Sequence, residues 1–452
     1  MRKPREIEEP ARSTQVIDKV DVIVAGGGVA GFSSALAASR NGARVFLVER
    51  YGFLGGVASG GYSVWLPLVA FEYIGGILNQ LVERLLKFGG IIDPVKAKKI
   101  TPVDDFSKGM PNTPYDPEIM KLVMNQMLKE QDVSVLFESL IVDAIVDGQT
   151  VKGVIVENKS GRQAILSDVV IDCTGDSDVL AKAGGAFQQP SDPLPVTLMF
   201  RMNNVDTSIF LQERQKNTRI LSDLTEKARE KGDLDLPPAP RRFIPGSELW
   251  APVYLFDILC PPSPPWHRKD EALVWGAHLT LNGTDAKDIS RAHISLRNQV
   301  FEIVRFLQRD VPGFRNSYLQ DTAPQLGVRE TRHGIGKYVL TAEDILTGKQ
   351  FDDAVVRSGR WDKPQLPYAI PYRCFLPEKI EGLLLVGKCL SVTPEAFSQN
   401  SPRDIPTCIA TGQVAGTAAV LAARAAITPH NLEVSYLQQE LMKQGLLSVN
   451  QK

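Results

Sequence analysis

Cysteine and histidine are scarce in this chain, with five of each in 452 residues. The cysteines (Cys173, Cys260, Cys374, Cys389 and Cys408) are far apart and form no C-x-x-C pair, which argues against a disulfide framework and against dithiol redox chemistry. The histidines form no H-E-x-x-H and no Cys/His cluster, so neither a metal nor an iron–sulfur site is expected. No charge sign dominates. With 51 Lys+Arg against 52 Asp+Glu the net charge is −1, which gives no reason to expect a nucleic acid or an acidic membrane surface as partner. The N-terminal stretch MRKPREIEEPARS lacks an apolar core, so a secretory signal is not expected and a cytoplasmic location is. The most apolar late stretch, Ile405 to Ile427, carries Gln413 and Arg424 and reads as a buried helix rather than a membrane span. Hydrophobic content of 43% and charged content of 23% are ordinary globular values. The length suggests two or three domains around a substantial core.

What the chain does have is a complete nucleotide-site pattern in residues 21–50. The apolar run Val22 to Val24 ends at Gly26, Gly27 and Gly28, and Gly31 follows. Gly26 permits a tight turn, Gly28 leaves the backbone open to a pyrophosphate, and Gly31 lets the next helix lie close on the sheet. That helix starts at the glycines, so its first residues, Val29 and Ala30, offer free amides and a positive dipole end to phosphate. Gly42 ends it, and the strand Val45 to Val48 leads to Glu49. A carboxylate about 20 residues past the glycines suits ribose hydroxyls. Arg50 and then Gly55 and Gly56 complete an E-R-x-G-x-x-G-G run, where backbone without side chains can pass a flat ring.

This combination resembles the FAD-dependent oxidoreductases of the glutathione-reductase type. The likeness is particularly to the branch that includes the fumarate-reductase and aromatic-hydroxylase folds, and more closely the chain looks like the bacterial FAD-dependent oxidoreductase group. The resemblance implies an α/β fold: a Rossmann-like FAD-binding domain with a parallel sheet, plus an inserted α+β substrate domain with a mainly antiparallel sheet. The expected layout is an N-terminal lead (1–19), a discontinuous FAD domain (20–190 and 376–428), the insertion (191–375) and a helical tail (429–452). Further motifs carry the likeness. Asp172-Cys173-Thr174-Gly175-Asp176 is similar to the family's A-T-G-D turn, which implies that Thr174, Gly175 and Asp176 touch the cofactor. The apolar strand ending at Gly387 and the helix from about Pro406 imply cofactor contacts at Gly387, Thr411, Gly412 and Gln413. Val135, in the strand-like run Ser134 to Phe137, is a further expected contact.

Between these motifs the pattern predicts helices over Gly76 to Lys87, from Asp116–Pro117 onward and over Asp285 to Leu307, with a loop over Gly89 to Pro114. Strands are predicted at Leu140 to Asp147, Val151 to Asn158, Val169 to Ile171, Val196 to Met202, Pro252 to Ile258 and Ala272 to Leu281. The stretch Leu326 to Gly336 is chemically the richest, and it resembles the family's R-E-[ST]-R-R-I motif with a histidine in place of the second arginine. Arg329 and Arg332 could clamp a carboxylate, and His333 could exchange protons near neutral pH, so all three are catalytic candidates. The alternative is a structural Arg329–Glu330 ion pair with His333 as a hydrogen-bonded wall residue.

No second G-x-G-x-x-G lies between a strand and a helix, so no dedicated NAD(P)H domain is evident. A separate electron donor or acceptor (oxygen, NAD(P)H or a carrier) then binds transiently, or the small-molecule substrate itself donates. No histidine follows Gly56, where some relatives attach FAD covalently, so FAD is expected to be non-covalent. The expected reaction is hydride transfer between a small organic substrate and flavin N5. A flavin monooxygenase and a non-catalytic flavin sensor or scaffold are the alternatives.

Overall fold

The computed structural model describes residues 7, 9–100, 112–217, 219–234, 257–259, 270–360, 363, 365–398 and 401–446. The Pro-rich runs PPAPRR and CPPSPPWH, Cys260 and most of the strand expected over Pro252 to Ile258 lie outside these residues.

The strand Gln15–Ala25 lies inside a seven-stranded sheet. Val45–Val48 pairs with it in parallel on one side, with Ser134–Leu136 beyond. On the other side runs the parallel strand Gly161–Asp172. Its far edge is shared. Up to Leu166 it pairs antiparallel with Thr150–Asn158, and from Val170 it pairs in parallel with Leu383–Leu385. Leu140–Asp147 closes that edge as a hairpin. Val22, Val24 and Ile23 are fully buried because both faces of the parallel part are covered, which is why these strands read as unbroken apolar runs.

Two helices seal one face, Val29–Arg40 and Ile405–Arg424. They meet through small residues. A Cβ on Gly412 would lie 2.3 Å from the carbonyl oxygen of Ala30, and one on Gly416 would lie 2.3 Å from that of Ser34. The Ser33 hydroxyl donates to the Ile409 carbonyl at 2.6 Å. Ile405–Arg424 is also long and apolar enough, by length and composition, to cross a membrane, but 94% of that window is buried inside the protein.

After Asp172 the chain leaves this sheet and builds a second one, antiparallel, in the order Asp257–Leu259, Ala272–Leu279, Val196–Asn203, Tyr318–Thr322. The helix Ala286–Asp310 packs its apolar stripe (Leu296, Val300, Ile303, Leu307) on this sheet. The chain returns to the first sheet at Leu383.

Two expectations need correction. The segment read as an N-terminal lead, residues 1–19, already contains strand from Gln15. Residues 94–100, expected as loop, form the helix Pro94–Ile100, and Asn112–Pro114 is a short strand. The cause is an Asp-Pro start like that of Asp116–Pro117: the Asp93 side chain accepts from the Val95 amide at 2.8 Å, capping the turn.

Candidate active site

A cavity of about 370 Å³ joins the end of the parallel sheet to the antiparallel sheet. Gly26, Gly28, Val29 and Ala30 form one part of its wall. Gly26 has φ +102°, and a Cβ there would lie 2.5 Å from the Cys173 carbonyl oxygen, so both its conformation and its neighbour demand glycine. Gly28 is different. A Cβ on it would meet nothing within 4 Å, so that space is open on the cavity side. The helix behind it begins without a side-chain cap, leaving its first amides for a ligand. The second glycine loop is tied to the first, with the Gly55 amide donating to the Gly27 carbonyl at 2.8 Å. Gly55 and Gly56 both have positive φ and both line the cavity.

Glu49 lines the cavity beside them, with its carboxylate turned on the loops. It accepts from the Gly27 amide at 2.6 Å and from the Tyr51 amide at 2.8 Å. Burial raises its pKa, while these amides and Arg50 work in the opposite sense. Arg50 approaches Asp176 at 3.7 Å. Thr174, Gly175 and Asp176 all line the cavity, held from behind by the fully buried Asp172. Arg332 does not line it. Its guanidinium donates to the Asp176 carbonyl at 2.8 Å, pairs with Asp178 and lies over the Phe187 ring, so it braces the turn.

Asp178 does line the cavity, and its pKa is pushed up to about 6. Burial is the main cause. The neighbouring carboxylates Asp176 and Asp172 add to it, and together they outweigh Arg332 and Arg50. At a pH between the ordinary value of 3.8 and about 6, folded Asp178 keeps a proton that the unfolded chain has lost. Stability from this group therefore falls as pH rises through that window. In flavin-free protein, Asp178→Asn is expected to gain stability relative to the parent from pH 4 to pH 6.5. The gain is on the order of 1–2 kcal/mol, reduced by partial exposure to water. Paired thermal melts across that range check it, and a pH-independent difference refutes it.

The antiparallel sheet supplies the opposite wall, with Thr197, Met199 and Trp275. Trp65 lies with its ring centroid 5.5 Å from that of Trp275, and the Arg329 guanidinium is 5.3 Å from the Trp275 ring. Arg329 donates to the Pro195 carbonyl, and Lys388 donates to the Val328 carbonyl at 2.7 Å. Burial and the nearby Arg403 both lower the Arg329 pKa, to about 9. Arg403, Asp404, Ile405 and Cys408 bring the first turn of the closing helix to the cavity.

Several expected contacts lie elsewhere. Gly31 sits behind the cradle, where a Cβ would be 1.8 Å from the Gly26 carbonyl oxygen. Gly387 turns at φ +60° with its amide on the Thr411 hydroxyl at 3.3 Å, while its neighbours Val386 and Lys388 reach the cavity. Val135 is half-buried in its strand and does not reach the cavity, whereas Ser139, Leu140 and Ile141 do. Thr411, Gly412 and Gln413 are three to five residues beyond Cys408, the last residue of their helix that lines the cavity. Gln413 accepts from the Ile77 amide at 2.9 Å and so caps the helix Ile77–Lys87. Gln413→Ala is expected to cost about 1–3 kcal/mol in a denaturant melt while leaving flavin affinity unchanged. A selective loss of flavin would restore the cofactor reading for this residue.

His333 is fully buried and does not line the cavity. Its Nε2 is 3.0 Å from Glu330, and its ring lies 4.4 Å from that of Phe397. Glu330 also accepts from the Leu194 amide at 3.0 Å. No Arg329–Glu330 ion pair is found among the described residues, and His333 is hydrogen-bonded in the core rather than at the cavity wall.

The residues fit FAD on one direct observation. The volume that a Gly28 Cβ would fill is open, and it faces an uncapped helix N-terminus between two glycine loops. Sequence reasoning did not find Trp65, Trp275, Gln325, Lys388 or Arg403 on this cavity. Lys388 had a usable signal in its place directly after Gly387. The tryptophans had none, being far apart in the chain.

A family model described as FAD dependent oxidoreductase matches residues 21–441. Over 104 residues the chain is 33% identical to fumarate reductase (cytochrome) of Shewanella frigidimarina. That segment is 22% of this chain and 18% of the relative, so the match spans less than a fifth of the curated relative's length. Among solved structures, a geranylgeranyl bacteriochlorophyll reductase-like protein from Thermoplasma acidophilum is similar at TM-score 0.48 and 13% identity, over 95% of this chain and 84% of that one. The p-nitrophenol 4-monooxygenase of Pseudomonas putida is similar at TM-score 0.44 and 13% identity, over 95% of this chain and 85% of that one.

Proposed function

The chain belongs to the FAD-dependent oxidoreductase family, and from that premise we propose that it transfers a hydride between a small organic substrate and non-covalent FAD. The single observation that carries the reading is the continuity of the cavity. The glycine cradle at Gly28 and the aromatic wall at Trp65 and Trp275 line the same space. When bound, FAD supplies the two-electron chemistry.

The chain's residues supply binding, orientation and exclusion of water. The amides at the start of Val29–Arg40 and the Gly55–Gly56 loop suit the pyrophosphate, and Arg50 with Asp176 suits the adenosine side. The first turn of Ile405–Arg424, carrying its positive dipole end, faces the cavity and favours negative charge there. Met199, Trp65 and Trp275 limit access of water to the reacting region. Electrons then pass to or from a separate partner, such as oxygen, NAD(P)H or a carrier.

The test is anaerobic addition of candidate substrates to the yellow protein, followed by air. Substrate-dependent bleaching without a transient oxygen adduct is the expected result. An oxygen adduct after reduction would make the protein a monooxygenase. A flavin that no donor reduces would make it a sensor or scaffold.

A further inference from the structure

The cavity wall away from the glycine cradle carries three cations, Arg329, Lys388 and Arg403, beside one carboxylate on the same stretch, Asp404. Arg329 and Lys388 each give a hydrogen bond to a main-chain carbonyl, and among the described residues neither is paired with a carboxylate. A guanidinium has five N–H donors, and the Pro195 carbonyl takes a bond from only one nitrogen of Arg329. Arg403 stands close enough to Arg329 to repel its charge, while Arg403 itself is balanced by Asp404 and Glu330. Placing Arg329 and Lys388 in a half-buried wall without a carboxylate is costly unless an anion joins them.

The pyrophosphate of a dinucleotide does not meet this need, because the uncapped helix at Gly28 and the Gly55–Gly56 loop already provide its cradle. Two further features belong to the same wall. The Trp65 and Trp275 rings are 5.5 Å apart with Arg329 over the second, which makes an apolar surface beside the cations. Gln325 is 8% exposed and lines the cavity, and its Oε1, like the Trp275 Nε1, is buried without a partner. An orphaned donor and an orphaned acceptor beside an aromatic surface are features of a site built for a polar, flat ligand.

We infer that the substrate is a small carboxylate with a flat apolar body, its anionic end held by Arg329 and Lys388 and its body resting on Trp65 and Trp275. This rests on the functional reading above and narrows its substrate class. Arg329 is then a binding residue. The preference for a carboxylate over a neutral isostere is its signature, because a planar guanidinium can take both carboxylate oxygens at once.

The experiment uses the full chain with FAD and two probes of the same shape, benzoate and benzamide, followed by flavin difference spectra and tryptophan fluorescence. Benzoate is expected to bind at least tenfold more tightly than benzamide. Arg329→Met is expected to abolish that preference with flavin content unchanged, and Arg329→Lys to recover part of it. Lys388→Met gives the same comparison if Arg329→Met does not fold. Equal affinities overturn the inference. So does an Arg329→Met protein that keeps its benzoate preference while its flavin potential shifts, since the cation would then serve the cofactor. If the chain takes up no flavin, the functional reading fails instead. Tryptophan fluorescence still reports the carboxylate preference in that case, so the two failures are distinguishable.

Discussion

Gly28→Ala is expected to leave the protein as stable as the parent, within about 1 kcal/mol, and to weaken FAD binding about 100-fold or more. Gly28 has φ −62° and ψ 179°, a conformation that alanine adopts without strain, and a Cβ there meets nothing within 4 Å. Nothing in the protein resists the methyl group. What it takes is the open volume in front of the helix amides, and loss of two charge-assisted hydrogen bonds to phosphate at about 1.5–3 kcal/mol each accounts for the size of the effect. The measurement is a thermal melt of flavin-free protein beside a flavin titration. A variant that binds FAD like the parent would show that no phosphate rests on Gly28.

Gly31→Ala is the opposite case. Its Cβ would sit 1.8 Å from the Gly26 carbonyl oxygen, and Gly26 cannot retreat because it is itself packed against the Cys173 backbone. Helix and turn must separate, which costs more than the usual 1–3 kcal/mol of overpacking because the obstacle is backbone on both sides. The expected outcome is insoluble protein, or a melt lowered so far that excess FAD does not restore it. The two glycines, three residues apart, thus divide cleanly into one that serves the ligand and one that serves the fold.

That division was legible in the sequence because a glycine requirement is local: it depends on one turn and on the strand and helix that flank it. The same locality made the strands near Val22 and Val45 readable. Legibility failed where a residue's role depends on distant chain. Gly161–Asp172 is one strand, yet only Val169 to Ile171 stood out, because its earlier residues are partly exposed where they pair with the hairpin. Gln15–Val20 was missed for a similar reason, being exposed or partly exposed along most of its length. Trp65, Trp275 and Lys388 come from three separate elements, and no spacing rule connects them. His333 shows a different limit. Polar residues between glycines announce a special segment, but not which way a side chain points, and here the ring turns into the core against Phe397. Thr411, Gly412 and Gln413 lie away from the cavity for a reason of phase. The helix starts at Ile405, with Pro406 in its first turn, so Asp404, Ile405 and Cys408 are the ones that meet the cavity.

Asp172→Asn tests the other device that sequence reading passed over, and it should lower both stability and flavin affinity. Asp172 is fully buried at the end of its strand. One carboxylate oxygen accepts from the Thr174 amide at 3.1 Å and the Thr174 hydroxyl at 2.6 Å, and the other from the Leu180 amide at 3.0 Å. The Cys389 thiol also donates to it at 3.5 Å, while accepting from the Gly175 and Ser177 amides at 3.2 and 3.3 Å. Burial pushes the Asp172 pKa up, and these donors act to hold it down. An asparagine has only one acceptor oxygen. In one orientation its NH2 group faces the Leu180 amide, and in the other it faces the Thr174 amide, so a buried N–H is stranded either way. The cost is roughly 1–3 kcal/mol for that group, and Asp172→Ala, which strands both amides, should cost more. Thr174→Val should cost less than Asp172→Ala, because it takes the acceptor from the Asp178 amide, which the Thr174 hydroxyl holds at 3.0 Å, while the Thr174 and Leu180 amides keep theirs. Flavin affinity should fall in the same order, since Thr174, Gly175 and Asp176 line the cavity and take their shape from this carboxylate. Denaturant melts and flavin titrations of the three variants decide it. An unchanged melt for Asp172→Asn would mean that the turn holds its shape without the second acceptor, and the carboxylate would lose its place as the support of the site.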